Sequence, residues 1–205
     1  MPTIPLPVVY LARHGETEWA AAGRHTGRTD IPLTEHGQTD ARRLGARLAG
    51  RVFARVWTSP AERAKRTCEL AGYGPVAELD PDLWEWDYGE YEGRTSADIR
   101  AVRPDWRLFR DGCPGGESPA DVAARADHIV ARVRSAGGDV LLFSSGHISR
   151  VLAARWLGLD PAAGALFMLG TGALCILGYD HDLTEPAVRL WNDRSHLGPL
   201  PEPCG

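Results

Sequence analysis

The stretch Val8-Val9-Tyr10-Leu11-Ala12 followed by Arg13-His14-Gly15-Glu16-Thr17 decides how the rest of the chain is read. A short apolar, β-branched run with no polar alternation has the profile of a strand covered on both faces. It ends abruptly in charged and small residues, as a strand does where it leaves a sheet. Working outward, the pattern repeats. Arg55-Val56-Trp57-Thr58 and Val140-Leu141-Leu142-Phe143 read as strands, and Ala173 to Leu177 as another buried one. Between them, Thr34 to Ala49 carries Ala41, Leu44 and Leu48 on one face and stops at Gly50, a helix with a glycine after its end. Ser59-Pro60-Ala61-Glu62 and Ser118-Pro119-Ala120-Asp121 each offer a Ser N-cap, a Pro at the first helical position and an acid at the third. The second opens a helix to about Ser135, with Val122, Ala126, Ile129, Val130 and Val133 in one stripe. Ser144-Ser145-Gly146-His147 leads into a helix through Trp156. Strands alternating with helices predict an α/β fold: a mostly parallel central sheet with helices on both faces. Ligands bind such sheets outside the carboxyl ends of the strands. Those ends deliver Arg13 and His14, then Ser59 to Arg63, then Ser145 to His147.

Composition narrows the function classes. The 205 residues suffice for one domain, expected over 1–197 with a short lid at about 86–117 and a Pro-rich tail at 198–205. With 23 Lys plus Arg against 27 Asp plus Glu, the net charge of −4 provides no cationic field for nucleic acid. An apolar content of 43% and a charged content of 24% exclude a disordered chain. Cys68, Cys113, Cys175 and Cys204 are too scattered for a zinc cluster or a disulfide framework. The uncharged stretch from Pro161 to Tyr179 is interrupted by Gly164, Gly170, Gly172 and Gly178, and reads as a loop and strand, not a membrane span. Met1 to Pro7 lacks the basic start of a secretory signal, so a cytoplasmic protein without membrane partners is expected.

Arg13-His14-Gly15-Glu16-Thr17-Glu18-Trp19 resembles the RHGET signature of the histidine phosphatase superfamily, the phosphoglycerate-mutase-like proteins. The likeness continues through Gly23 to Thr34, Thr58 to Ala64, Leu83 to Gly93 and Asp111 to Ser118, in order along the chain. Trp86-Asp87-Tyr88-Gly89-Glu90-Tyr91-Glu92-Gly93 and Gly112-Cys113-Pro114-Gly115-Gly116-Glu117-Ser118 are most similar to the acid phosphatase and sedoheptulose-bisphosphatase-like branch. The mutase branch carries a longer basic segment after its Tyr-Gly motif. Two positions depart from the pattern. Ala20 stands where the family usually has Asn, and Ser145 stands where it has a second histidine directly before glycine.

The resemblance implies hydrolysis of a small phosphomonoester, such as a sugar phosphate, through a phosphohistidine on His14. Arg13 and Arg63 would grip the phosphate with planar guanidinium forks. Backbone N–H groups at the helix starts near Ser59 and Gly146 would add to them. No metal or other cofactor is needed on this view, since the arginines carry the charge. Glu85 is implied as the general acid for the leaving alkoxide and then as base for water. Arg24, Thr26 and Gly27 fall on the substrate-facing loop, where Thr26 and Gly27 would supply hydroxyl and N–H contacts. At the altered strand end the alternatives stay open. Either His147 turns inward to replace the missing ligand, or Ser145 supplies a hydroxyl and the pocket has one cation fewer. Arg150, one turn beyond Gly146, is either a second anion contact or a solvated charge. Arg100, Arg103, Arg107 and Arg110 would line the lid. A mutase and a non-catalytic phosphate-binding relative are the rival activities, and a homodimer is the oligomer the family suggests.

Overall fold

In the computed structural model, which describes residues 6–198, the opening apolar run forms β1 (Val9–Arg13) at the centre of a six-stranded sheet. Next come a short helix α1 (Glu18–Ala21), α2 (Glu35–Arg47), β2 (Arg55–Thr58), α3 (Glu62–Leu70) and the brief edge strand β3 (Ala77–Leu79). The segment after β3 holds two small helices, α4 (Ser96–Val102) and α5 (Leu108–Asp111). The chain then runs through α6 (Pro119–Arg134), β4 (Val140–Ser144), α7 (Gly146–Trp156), β5 (Leu174–Tyr179) and β6 (Pro186–Asp193). The sheet order is β3-β2-β4-β1-β5-β6. The first four strands are parallel, and β5 and β6 add antiparallel pairs at one side.

Alternate residues along the central strands feed two cores, as the twofold period of a strand requires. Val9, Leu11, Val140 and Leu142 pack on one face with the stripes of α6 and α7. Tyr10, Ala12, Leu141 and Phe143 pack on the other with Leu44 and Leu48, where α2 ends, and Cys68 of α3. Helices therefore cover both faces, the fold class that the strand and helix patterning implies. The uncharged stretch from Pro161 to Tyr179 resolves into a 3-10 turn, Pro161–Leu166, and β5. Among the described residues no helix is long and apolar enough to cross a membrane. Apart from Gly198, the expected tail lies outside the described residues.

The Ser118 start behaves as expected. Ser118 Oγ accepts from the Asp121 N–H, and the Asp121 carboxylate accepts from the Ser118 N–H, a complete capping box. The Ser59 start does not. The Ser59 N–H donates to Phe143 O at 2.9 Å, continuing the β2–β4 pairing, its Oγ accepts from the Ala61 N–H at 3.3 Å, and the helix begins only at Glu62. The Glu62 N–H is capped instead by Asp30 Oδ1 at 2.9 Å, a partner remote in sequence.

Candidate active site

The carboxyl ends of β1 and β4 lie side by side, with Arg13 opposite Ser144 in the register. His14 extends this pairing. Its N–H donates to Ser144 O at 2.9 Å and its carbonyl accepts from the Gly172 N–H at 2.9 Å. The ring is 3% exposed, and Nδ1 lies 2.7 Å from Gly15 O. A carbonyl can only accept, so Nδ1 carries the proton and Nε2 keeps a bare lone pair. Burial, and then the Arg63 and Arg13 charges, hold this imidazole well below its ordinary pKa, so it stays neutral. The loop beneath it needs two glycines. A Cβ on Gly15 would meet Gly37 O at 2.3 Å, and one on Gly37 would meet Glu16 O at 2.2 Å.

A cavity of about 230 Å³ opens beside the His14 ring. Of the residues expected from the sequence, Arg13, His14, Arg24, Thr26, Glu85, Gly146, His147 and Arg150 line it. Arg63, Gly27 and Ser145 are buried and do not reach its surface. Arg13 donates through Nη1 to Leu169 O at 2.5 Å and lies against Gly146, where a Cβ would sit 3.2 Å from its Cζ. Arg63 Nη2 donates to Thr26 O, Gly27 O and the Ser145 hydroxyl, and its Nη1 to Thr29 O. It thus acts as a strut for the 26–29 loop. Among the described residues the Nε atoms of both arginines are buried without an acceptor; that of Arg13 belongs to the cavity wall, and an orphaned cationic donor there fits an anion. Burial lowers the pKa of each guanidinium, and the Glu85 carboxylate offsets part of that shift.

Glu85 is 4% exposed. Its Oε1 accepts the N–H groups of Trp86 at 2.9 Å and Ile148 at 2.8 Å, and its Oε2 that of His147 at 2.9 Å. The carboxylate therefore caps α7, where it complements the helix dipole. Of the helix-start N–H groups, those of His147 and Ile148 thus go to Glu85 and that of Glu62 to Asp30. Likewise the Gly27 N–H is bound by both Glu92 oxygens, at 2.8 and 3.0 Å. Arg125 of α6 holds the Glu85 loop, donating to Asp82 O, Trp84 O and Glu85 O while its fork grips Glu117 at 2.7 and 2.8 Å.

At the altered strand end, His147 turns inward and the Ser145 hydroxyl lies 3.4 Å from Arg63 Nη2. His147 Nδ1 is 2.5 Å from the Tyr88 hydroxyl. Burial, and next the Glu85 charge, raise the Tyr88 pKa well above its usual value, so the phenol keeps its proton and donates it to Nδ1. His147 is itself kept neutral by burial, Arg150 and His25. Its Nε2 therefore carries the hydrogen and offers a neutral donor, not a second cation. His25 and Tyr88 also line the cavity, with ring centroids 4.7 Å apart. Burial, and then Arg100, push the His25 pKa down to about 4. The sequence reading did not single out His25 as a site residue. The usable signal was its place between Gly23 and Gly27, in a loop following the His14 segment.

A family model for the histidine phosphatase superfamily, branch 1, matches residues 9–194. An acid phosphatase from Mycobacterium tuberculosis is 43% identical over 183 residues, 87% of this chain and 89% of that protein. A sedoheptulose 1,7-bisphosphatase from Saccharomyces cerevisiae is 32% identical, over 93% of this chain and 94% of its own. The solved structure of an open-reading-frame product from Mycobacterium tuberculosis superposes with a TM-score of 0.87 at 40% identity, covering 91% of this chain and 97% of the other. Fold, strand-end loop and sequence all converge: the chain belongs to branch 1 of the histidine phosphatase superfamily.

Proposed function

We propose that the protein is a phosphatase that hydrolyses a small phosphomonoester by way of phospho-His14. The observation that carries this is the His14 ring, neutral and with Nε2 bare, beside a cavity walled by Arg13 and Glu85. Nε2 attacks phosphorus, and the bond to the leaving oxygen breaks as Glu85, in its protonated form, passes that proton to it and becomes the carboxylate. A water then loses its proton to Glu85 and attacks phospho-His14, releasing inorganic phosphate and restoring both residues. Arg13 stabilises the charge on the equatorial oxygens. Arg63 adds positive potential from behind the wall and sets the 26–29 loop. His147 Nε2–H, on the same wall, is a neutral donor for the phosphate or its ester, whereas the Thr26 hydroxyl donates to Arg24 O at 3.3 Å. No step calls for a metal. Relatives named as phosphatases support hydrolysis over transfer. A cytoplasmic setting accords with three buried free thiols, Cys68, Cys113 and Cys175.

The test is rapid quenching with a ³²P-labelled aryl phosphate. Label should stay on the protein in alkali, leave in acid and be missing from His14→Ala. Label that persists in His14→Ala refutes the assignment. With 3-phosphoglycerate, inorganic phosphate should appear; label that only moves to the second hydroxyl would make the enzyme a mutase.

A further inference from the structure

Strands β5 and β6 pair out of step: Leu174 lies opposite Asp193 and Ile176 opposite Leu190, so Trp191 and Asn192 both face the single residue Cys175. In this bulge Asn192 adopts φ 55°, the one non-glycine residue in the left-handed region among the described residues. Its N–H rests on Cys175 Sγ at 3.3 Å. Glycine takes such a conformation freely and asparagine tolerates it. A side chain kept there against that preference points to a task.

The hydrogen bonds show what it holds. Asn192 Oδ1 accepts the Gly170 N–H at 2.8 Å. That N–H and the Leu169 carbonyl belong to one planar trans peptide unit, in which they point opposite ways. The Leu169 carbonyl accepts Arg13 Nη1 at 2.5 Å. One peptide therefore stands between the Asn192 amide and the arginine in the wall of the His14 cavity. Accepting from its N–H fixes the plane of the unit and polarises its carbonyl, which makes that oxygen a better acceptor. A glycine at 170 gives the peptide little resistance of its own to rotation. Neighbours of Asn192 secure the rest of the loop. Trp191 Nε1 donates to Met168 O at 2.6 Å and His196 Nε2 to Gly172 O at 3.0 Å. Asn192 is the one among them that takes the peptide facing Arg13.

We propose that Asn192 is a positioning residue for Arg13, aiming its guanidinium at the phosphoryl group through the Leu169–Gly170 peptide. Asn192 itself does not line the cavity. What Arg13 grips rests on the phosphatase reading, whereas the link from Asn192 to Arg13 does not depend on it.

Two variants and two readouts test this. Asn192→Gly removes the acceptor but suits the backbone, so it should fold; Asn192→Asp keeps both an acceptor and a residue that tolerates this φ. By NMR, the bond to Leu169 O should keep the Nη1 and Nη2 signals of Arg13 distinct in the unmodified protein. In Asn192→Gly they should merge, and the Gly170 amide should exchange about tenfold faster. Asn192→Asp should restore both. In parallel, kcat/KM for phenyl phosphate should fall about tenfold in Asn192→Gly, the scale of one charge-assisted contact. It should recover in Asn192→Asp and fall no further when Asn192→Gly is added to Arg13→Met. Arg13 signals that stay distinct in Asn192→Gly, or a loss of kcat/KM added on top of Arg13→Met, overturn the assignment. Merged signals in an enzyme whose unmodified form releases no phosphate from any aryl phosphate would leave the link to Arg13 standing and bring down the phosphatase reading instead.

Discussion

Glu85→Gln separates two roles that share one carboxylate. In the structure Oε1 accepts two backbone N–H groups and Oε2 accepts a third, from His147 at 2.9 Å. A glutamine oxygen can keep the first two, but its NH₂ then faces the His147 N–H, donor against donor. Losing one charge-assisted bond, leaving that N–H unsatisfied and removing the anion from the start of α7 should destabilise the fold by about 2–3 kcal/mol. In a chain of this size that lowers the melting temperature by about 4–12 °C. The chemical role is separate and larger. Loss of the proton donor should lower kcat by roughly 10²- to 10⁴-fold. The assay is kcat over a series of aryl phosphates from phenyl to dinitrophenyl, alongside thermal melts. Proton donation predicts a steep loss for phenyl phosphate and a slight one for dinitrophenyl phosphate, whose leaving group departs unaided. An equal loss across the series, with the expected drop in melting temperature, would mean that Glu85 only holds α7 in place.

Gly37→Ala puts a methyl 2.2 Å from Glu16 O. It should destabilise by about 1–3 kcal/mol and, by displacing the nucleophile loop, cut kcat on the order of a hundredfold; unchanged kcat would show that α2 yields instead. Arg125→Ala strips the carbonyls of Asp82, Trp84 and Glu85 of a donor and leaves the Glu117 carboxylate only the Asp87 N–H in place of its cationic partner, costing about 2–3 kcal/mol. kcat should fall more than KM rises, and Arg125→Lys should restore little, because an ammonium cannot reproduce the fork. For acid, the sign follows from His14, His25 and His147, all held neutral in the fold. As pH falls below about 6.5 the unfolded chain binds protons that the folded one refuses, so stability drops by up to about 1.4 kcal/mol per pH unit for each residue. The His25 share ends near its folded pKa of about 4. Denaturant melts between pH 7.5 and 5 check this, and a flat profile contradicts it.

What the sequence determined by itself was whatever depends on neighbours along the chain. The apolar runs of β1, β2 and β4, the Ser118–Asp121 capping box and the stripe of α6 are local periodicities and caps, and all appear where expected. The motif around His14 likewise placed this histidine at a strand end. Tertiary structure decided the remainder. The edge strands β3 and β6 carry little apolar signal because they are half exposed. The antiparallel direction of β5 is a matter of which strand it meets, not of its composition. Ser59 is not the N-cap of α3 because the sheet pairing continues through it to Phe143 O, 84 positions away, and the helix starts only three residues later. Most consequentially, whether a polar side chain faces the cavity, as His147 and His25 do, or stands behind it, as Arg63 and Ser145 do, depends on strand register and burial. Those arise only when segments distant in sequence pack together and exclude water from the groups between them.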